Sequence, residues 1–463
     1  MSDDLAFATA LDQAELVRGR QVSPVELVDL YLSRIDALNP KLDAYLTVVA
    51  DEARAVARAK ESESGDLPPF HGVPISIKDL NNTAGIRTTC GSAAWHDRVP
   101  DFDDEIVARI KAAGFVILGK TNTPEFGSRA TTESPGYPPA RNPWDTDRSP
   151  GGSSGGGGAA LAAGLCPIAQ GSDGGGSIRI PAAWCGLFGI KPSRGRVSSA
   201  PAIQSFYATG GFLARAVADS AAALDTIAGP APGDAFWAPP PERPFADEVG
   251  RDPGRLRIAW SVEHPNEGAE VAPAWRDAVH ATVALLEQLG HDLVEDTPEQ
   301  LEVASAAATV AGYAAASTDR PDRETMDPVN QTILAIGEAS SAADMARAYT
   351  EIQQWMRRVA PFFERYDALL TPTLASGPPR IGEKMSGEDS FEELLELTRV
   401  VAFTPIWNQA GNPAMAVPAG LDGDGLPVSI QVVGRPADEA TLFRLGAQLE
   451  AARPWADRRP PIS

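Results

Sequence analysis

Cysteine is scarce in this chain: Cys90, Cys166 and Cys185 are the only three in 463 residues, an odd number with no CxxC pair. That argues against a disulfide framework or a thiolate metal site and leaves three buried small side chains in a reducing compartment. Basic residues are also in deficit, 40 against 62 acidic ones, for a net charge of -22 with no basic block. Phosphate backbones and anionic membranes are repelled by such a surface, so neither nucleic acid nor lipid is an expected partner. No run reaches the roughly 18 apolar residues of a membrane span; the Ala-rich ASAAATVAGYAAAS is too short and carries polar groups. The acidic start MSDDLAFATALDQAEL is unlike a signal peptide, and a cytoplasmic protein is the expectation. Histidine is sparse too, five in all, which limits the acid–base chemistry available.

What the chain has in abundance is glycine beside serine. The stretch from Ser149 to Arg196 holds Ser153 in GGSSGG and Ser177 in GGGSIR, 24 positions apart. Glycine and serine also make flexible linkers, but AALAAGLCPIAQ between the clusters and IRIPAAWCGLFGI after them are apolar. The glycines therefore read as turns inside a core, where backbone N–H groups can approach a ligand closely. A backbone cradle beside a hydroxyl is the outline of an acyl-transfer site.

Length alone suggests about three domains of roughly 150 residues, and 43% apolar with 22% charged residues is ordinary globular composition. Along the chain, residues 8–60 read as helical. In SPVELVDLYLSRIDAL, Ser23, Pro24 and Glu26 form a capping box, and Val25, Leu27, Leu30, Leu32 and Ile35 give a core face. GVPISIKDL reads as a buried strand ending at Lys78, and DDEIVARIKAA as a helix stopped by Gly114. Residues 124–148 form a long loop, a candidate substrate wall. GGFLARAVADSAAALDTIAG reads as a helix leading into the Pro-rich connector GPAPGDAFWAPPPERPF. Beyond it, LRIAWS, PAWRDAVHATVALLEQLG and HDLVED make a β-α-β unit, and residues 300–366 read as mostly helical. DALLTPTL is a strand, NPAMAVPAG and GLPVSIQVVG a hairpin, and DEATLFRLGAQLEAA the last helix. The expected fold is α/β, a central mixed β-sheet covered by helices on both faces and completed by the second half.

Two short motifs mislead. Gly114, Gly119, Lys120 and Thr121 satisfy the phosphate-loop pattern, but the four residues meant to form its open turn, Phe115 to Leu118, are themselves a strand. Gly151, Ser153 and Gly155 fit the nucleophile elbow of α/β-hydrolases, which needs an acid and then a histidine downstream. His71 and His96 come too early and His280 lies mid-helix; only His264 and His291 could serve, neither in a distinctive context. Another base is needed, and Lys78 is available. To act as one it must be neutral, so its pKa of about 10.4 must fall towards about 7 to 8, which burial without a fixed carboxylate achieves. The competing reading is a lysine that snorkels or is salt-bridged to adjacent Asp79; strand alternation would point Asp79 elsewhere.

Taken together, Lys78 in GVPISIKDL, GKTNTPEF, RNPW, GGSSGG, GSDGGGSIRIPAAWCGLFGIKPSRGRVS and the closing NPAMAVPAG, GLPVSIQVVGRP and LEAARPW resemble the amidase signature family over nearly the whole chain. The wording is most similar to the branch of 6-aminohexanoate cyclic-dimer hydrolases, with aryl acylamidases and carbamate-cleaving members nearby. The resemblance implies one amidase signature domain over 1–463: N-terminal helices to 70, a catalytic core over 71–229, a connector over 230–255 and a second half over 256–463. It implies Ser177 as nucleophile, Ser153 as a bridging serine following a cis peptide bond, and Lys78 as base. It also implies an oxyanion hole from the N–H groups of Gly174, Gly175, Gly176 and Ser177, with Ser154, Asp173 and Arg179 bracing the site. Many relatives carry a larger residue at the position of Gly174, so the cradle is expected to be roomier here. Arg179 is read as a structural ion-pair partner rather than a substrate contact.

The expectation is a serine amidohydrolase acting on small amides, carbamates or esters, needing neither metal nor cofactor, as a monomer or homodimer. Two alternatives stand beside it. One is the ammonia-releasing glutaminase subunit of a tRNA-dependent amidotransferase, which demands a partner and a nucleic-acid route that the acidic surface disfavours. The other is a non-catalytic binding protein on the same scaffold. Substrate walls are expected from residues 124–139, 300–345 and the 400–410 loop with Phe403 and Trp407.

Overall fold

Eleven strands hydrogen-bond into one mixed sheet that takes members from both sides of the Pro-rich connector. The structure, a computed structural model, describes residues 3–202, 206–299, 310–312, 315, 320–383 and 396–463. The strands are β1 (Tyr45–Val48), β2 (Pro74–Lys78), β3 (Val116–Thr121), β4 (Ile168–Asp173), β5 (Phe188–Lys191), β6 (Thr209–Ala214), β7 (Arg257–Trp260), β8 (Asp292–Glu295), β9 (Ala368–Pro372), β10 (Ala414–Leu421) and β11 (Pro427–Gly434). Their spatial order is β1-β3-β2-β4-β6-β5-β10-β11-β9-β7-β8. Within it β2 runs parallel to both β3 and β4, and β7 runs parallel to β8 and β9. The remaining pairings are antiparallel.

Both faces of the sheet are buried because side chains alternate along each strand. In β3, Ile117 joins one apolar cluster while Val116 and Leu118 join another; in β6, Phe212 and Leu213 divide the same way, as do Met415 and Ala416 in β10. The helices Glu105–Ala112, Val217–Ile227, Pro273–Gln288 and Glu439–Ala452 cover the first face, and Pro24–Leu42, Ala50–Glu61 and Gly155–Ala162 the second. Ser23 caps Pro24–Leu42 through a full capping box, its Oγ accepting from the Glu26 N–H at 3.1 Å while Glu26 Oε2 accepts from the Ser23 N–H at 2.8 Å. Such a cap contributes about 1 kcal/mol. The helix buries Leu27, Val28, Tyr31, Leu32 and Ile35, so the core stripe includes Val28 and Tyr31 and leaves Val25 and Leu30 at its margin.

Two segments differ from the sequence expectation. Residues 8–60 are interrupted by β1: Asp43 turns left-handed (φ 47°), ending the helix, and Tyr45–Val48 pairs with the edge of β3. GGFLARAVADSAAALDTIAG is strand first and helix second, because Thr209–Ala214 fits between β4 and β5. Gly210 and Gly211 make that fit possible: a Cβ on Gly210 would stand 2.5 Å from Ile106 Cδ1, and one on Gly211 3.0 Å from Ile178 Cδ1. The β-α-β unit, the hairpin and the last helix occur where expected, and part of the stretch 300–366 expected to be helical, 300–309, 313–314 and 316–319, lies outside the described residues. All three cysteines are thiols; Cys166 and Cys185 are buried, whereas Cys90 is half-buried. Among the described residues no helix is long and apolar enough to cross a membrane.

Candidate active site

Because β2 and β4 are parallel neighbours, their C-terminal ends lie side by side, bringing Lys78 next to the residues that follow Ile168. Between them in sequence, GGSSGG turns through a cis Gly152–Ser153 peptide into the buried helix Gly155–Ala162. Glycine is required in that helix by proximity: a Cβ on Gly156 would stand 2.4 Å from Asn122 N and 2.5 Å from Ala44 O. The run is thus the first turn of a core helix, not a linker.

Lys78 is fully buried, and its Nζ donates to Ser153 Oγ at 2.7 Å and to Ser172 Oγ at 3.1 Å. Burial pulls its pKa down to about 7, against a smaller upward pull from the Asp173 charge. Asp79 is on the other side of the strand. In the ladder Ile77 pairs with Lys120, so Asp79 and Lys120 share the face opposite Lys78. There Asp79 Oδ1 lies 3.8 Å from Lys120 Nζ, and its Oδ2 accepts from Thr89 N at 3.0 Å and Thr89 Oγ1 at 2.5 Å. Lys120 also donates to the carbonyl of Asn81 and to Thr88 Oγ1. This buried position inside β3 removes the phosphate-loop reading of GKT.

Ser177 stands at 9% exposure between Gly176 and the helix Arg179–Cys185. Its carbonyl accepts from the Ser154 N–H at 3.2 Å, tying the two serine clusters together through the backbone. Ser154 Oγ in turn donates to Ser172 O at 3.3 Å and accepts from Ser172 N at 3.4 Å. Among the described residues no hydrogen bond joins Ser177 Oγ to Ser153 Oγ. Lys78 and Ser153 are in direct contact, and Ser177 joins them at the level of the main chain.

Asp173 is a buried anchor. Burial pushes its carboxyl up, but the charge and hydrogen bonds of Arg179 and a bond from Asn408 outweigh that and hold it well below the usual carboxylate range. Arg179 donates to Asp173 Oδ2 at 3.0 Å and Oδ1 at 2.8 Å, to Thr404 O at 2.9 Å, to Gln431 Oε1 at 2.8 Å and to Asn408 Oδ1 at 2.5 Å. Five donors are all a guanidinium has. Arg179 is therefore committed to the protein and has no N–H left for a substrate.

The cradle departs from the expectation at Gly176. The Gly176 N–H donates to Asp173 Oδ1 at 2.8 Å and is already occupied, which leaves Gly174, Gly175 and Ser177 as N–H groups without a partner among the described residues. At Gly174 a Cβ would meet Ala208 Cβ at 3.6 Å and the Tyr207 ring at 3.9 Å, ordinary contacts, so packing does not demand glycine there.

Several participants escaped the sequence reading. Ser172 lies inside the GSDGGGS motif and two residues along the strand from Gln170, whose Oε1 accepts from the Lys78 N–H at 3.0 Å; that alternation was the available signal. Thr404 and Asn408 lie in the 400–410 loop, expected only as a substrate wall, and they and Gln431, more than 200 residues away in sequence, instead hold Arg179. Of the expected walls, Phe403 is buried with Trp184 and Trp275, and Trp407 against Phe363, so both face the core instead of a substrate. The 124–139 loop does reach the site: a Cβ on Gly127 would lie 3.0 Å from Ser153 Oγ, and Arg129 pins the loop to Asp327 at 2.6 Å. Neither candidate histidine approaches a serine by hydrogen bond: His264 is held by Asn266 and Arg399, His291 by Leu256 and Gln448.

The family model described as Amidase matches residues 26–443. The chain belongs to the amidase signature family. A "Putative amidase" of Synechocystis sp. is 42% identical over 462 residues, covering 96% of this chain and 89% of that protein. The 6-aminohexanoate-cyclic-dimer hydrolase of Paenarthrobacter ureafaciens is 36% identical over 486 residues, covering 98% and 96%. The solved structure of 6-aminohexanoate cyclic dimer hydrolase complexed with substrate superposes with a TM-score of 0.93 at 34% identity, covering 99% of each chain. The protein is thus an amidase, a hydrolase acting on C–N bonds.

Proposed function

We propose that this amidase cleaves carboxamides through an acyl-enzyme on Ser177, with carbamates and esters as further substrates and no metal in the reaction. The observation that carries the reading is the 2.7 Å contact between Ser153 Oγ and a buried Lys78 whose neighbouring carboxylate is engaged elsewhere. In the neutral amine Ser172 Oγ accepts one N–H, and rotation of the amine exchanges the N–H on Ser153 Oγ for the lone pair, so that the Ser153 hydroxyl donates to Nζ. As Ser177 Oγ attacks the carbonyl carbon, its proton passes to Ser153 Oγ and the Ser153 proton to Lys78 Nζ. The new C–O bond forms, the N–H groups of Gly174, Gly175 and Ser177 take the oxyanion, and the C–N bond breaks as the proton returns to the leaving amine. Water then repeats the sequence on the ester and releases the acid.

The substrate proposed is a small molecule and the enzyme a cytoplasmic monomer or homodimer; the -22 charge supports only the part of the reading that leaves out nucleic acid and anionic membranes. Likeness to the 6-aminohexanoate-cyclic-dimer hydrolases supports testing cyclic and linear aliphatic oligoamides first, beside anilides and alkyl carbamates. An aryl sulfonyl fluoride should add one label, mapped to Ser177 by peptide mass, and Ser177→Ala should lose both label and turnover. A Ser177→Ala enzyme that still turns over the panel ends the proposal; chelators should leave the rate unchanged.

A further inference from the structure

The peptide unit between Gly175 and Gly176 is held at both ends. Its carbonyl accepts from Thr404 Oγ1 at 2.7 Å, and its N–H donates to Asp173 Oδ1 at 2.8 Å. In a planar trans peptide these two groups point opposite ways, so one bond at each end fixes the rotation of the plane. The flanking units supply the Gly175 and Ser177 N–H groups, and their direction is set by that plane together with the backbone dihedrals of Gly175 and Gly176. Gly176 completes the constraint: its φ of +126° belongs to glycine, and a Cβ there would lie 2.3 Å from Thr404 Oγ1. Gly175, by contrast, has nothing within 4 Å of its Cβ position and faces open space.

Thr404 comes from the far half of the chain, where it precedes the helix Pro405–Ala410 and is fully buried. Its own carbonyl accepts from Arg179 Nη1, and one turn later Asn408 Nδ2 donates to Asp173 O and Oδ1, both at 2.9 Å. The hydroxyl has one proton, and Gly175 O at 2.7 Å is nearer than its other acceptor, Val401 O at 3.1 Å.

We infer that Thr404 is a positioning residue for catalysis, its hydroxyl setting the Gly175–Gly176 peptide so that the adjacent N–H groups meet the oxyanion; this rests on the acyl-transfer reading above. The hydroxyl acts when the carbonyl carbon becomes tetrahedral and its oxygen anionic, more than when substrate binds.

Thr404→Val keeps the shape and removes the hydroxyl, and Thr404→Ser keeps the hydroxyl. With the best substrate of the amide and carbamate panel, Thr404→Val should lose about 10- to 100-fold in kcat with KM within about twofold, the size expected of a misaimed donor set. An aryl trifluoromethyl ketone, which forms a tetrahedral adduct with a serine, should bind Thr404→Val more weakly by a comparable factor. Thr404→Ser should return to within about threefold of the parent, since the donor is restored. Parent-like kcat in Thr404→Val, or an equal loss in Thr404→Ser, overturns the inference. If the valine variant does not fold, Thr404→Ala against Thr404→Ser gives the same comparison, and equal kcat in that pair overturns it. Ser177→Ala is run alongside: an inactive Ser177→Ala with a fully active Thr404→Val sinks only the role of Thr404, whereas an active Ser177→Ala sinks the acyl-transfer reading and this inference with it.

Discussion

Replacing Lys78 by methionine should abolish turnover and yet stabilise the fold at neutral pH. In the folded protein burial brings the amine from 10.5 to about 7, so between those values the unfolded chain holds a proton that the folded chain lacks. Stability of the parent therefore rises with pH across that window, by about 1.4 kcal/mol per unit. Over the whole span of 10.5 minus 7 the buried amine costs about 5 kcal/mol, nearly all of it present at pH 7. Methionine fills similar space without a charge and loses the hydrogen bonds to Ser153 and Ser172, about 1 kcal/mol each. The balance is about 3 kcal/mol in favour of Lys78→Met at pH 7, vanishing about two units higher, near pH 9, and reversing above it. Denaturant unfolding of both proteins from pH 6 to 9.5 measures this directly. A variant less stable than the parent at pH 7, or a difference flat with pH, refutes the account of Lys78 as a desolvated, unpaired amine. The same protonation governs activity: kcat/KM of the parent should fall about tenfold per unit below pH 7 and level off above it.

Ser153→Ala should lower kcat by about 10²- to 10⁴-fold with little change in KM, as expected when a proton route is cut; a loss below tenfold in steady-state rates would remove Ser153 from the relay. Arg179→Met leaves the buried Asp173 carboxylate without its partner and should cost about 3 to 5 kcal/mol in denaturant unfolding. Arg179→Lys should recover little of that, since an ammonium cannot reproduce five donors in a fork. Gly156→Ala should yield no soluble folded protein, because three backbone atoms lie within 2.6 Å of the new Cβ; soluble, active Gly156→Ala on gel filtration would contradict the packing.

Local signals made much of this molecule legible. The capping box at Ser23, the strand ending at Lys78, the β10–β11 hairpin and the apolar surroundings of the two serine clusters are each written in one continuous stretch of sequence, and each is found in the fold. What escaped is set by distant partners. Tyr45–Val48 is a strand only because β3 offers an edge, and Thr209–Ala214 only because β4 and β5 leave a slot that two glycines can enter. The braces of the cradle escaped for the same reason: Thr404, Asn408 and Gln431 converge on Asp173 and Arg179 across more than 200 residues, with no periodicity to announce it. The occupied Gly176 N–H is subtler. A glycine run offers every N–H to a ligand, and only the folded position of Asp173 shows which is taken.

Burial by itself does not make a catalytic base in this fold, because three buried lysines have lowered pKa values: Lys78 and Lys191 to about 7, and Lys120 to about 8. What separates them is the company of the amine. Lys120 faces a carboxylate, Asp79, at 3.8 Å, so a proton taken up there is held by its counter-ion. Lys191 donates to its neighbour's carbonyl, Pro192 O, at 2.8 Å, a group with no proton to give. Hydroxyls alone do not separate Lys78 from Lys120, which reaches Thr88 Oγ1 at 2.8 Å and Thr83 Oγ1 at 3.2 Å. Lys78 reaches Ser153 Oγ at 2.7 Å and Ser172 Oγ at 3.1 Å with no carboxylate within ion-pair distance among the described residues. Alternation along one strand produces the difference: Lys78 and Asp79 are adjacent in sequence and opposed in space, so Asp79 serves Lys120, and among the described residues Lys78 has no ion-pair partner, only the more distant pull of Asp173. Moving the acid to the other face, as in Ser172→Asp, should pair Lys78 directly, raise its pKa and shift the acid limb of kcat/KM above pH 7; an unmoved limb would mean that an amine other than Lys78 sets it.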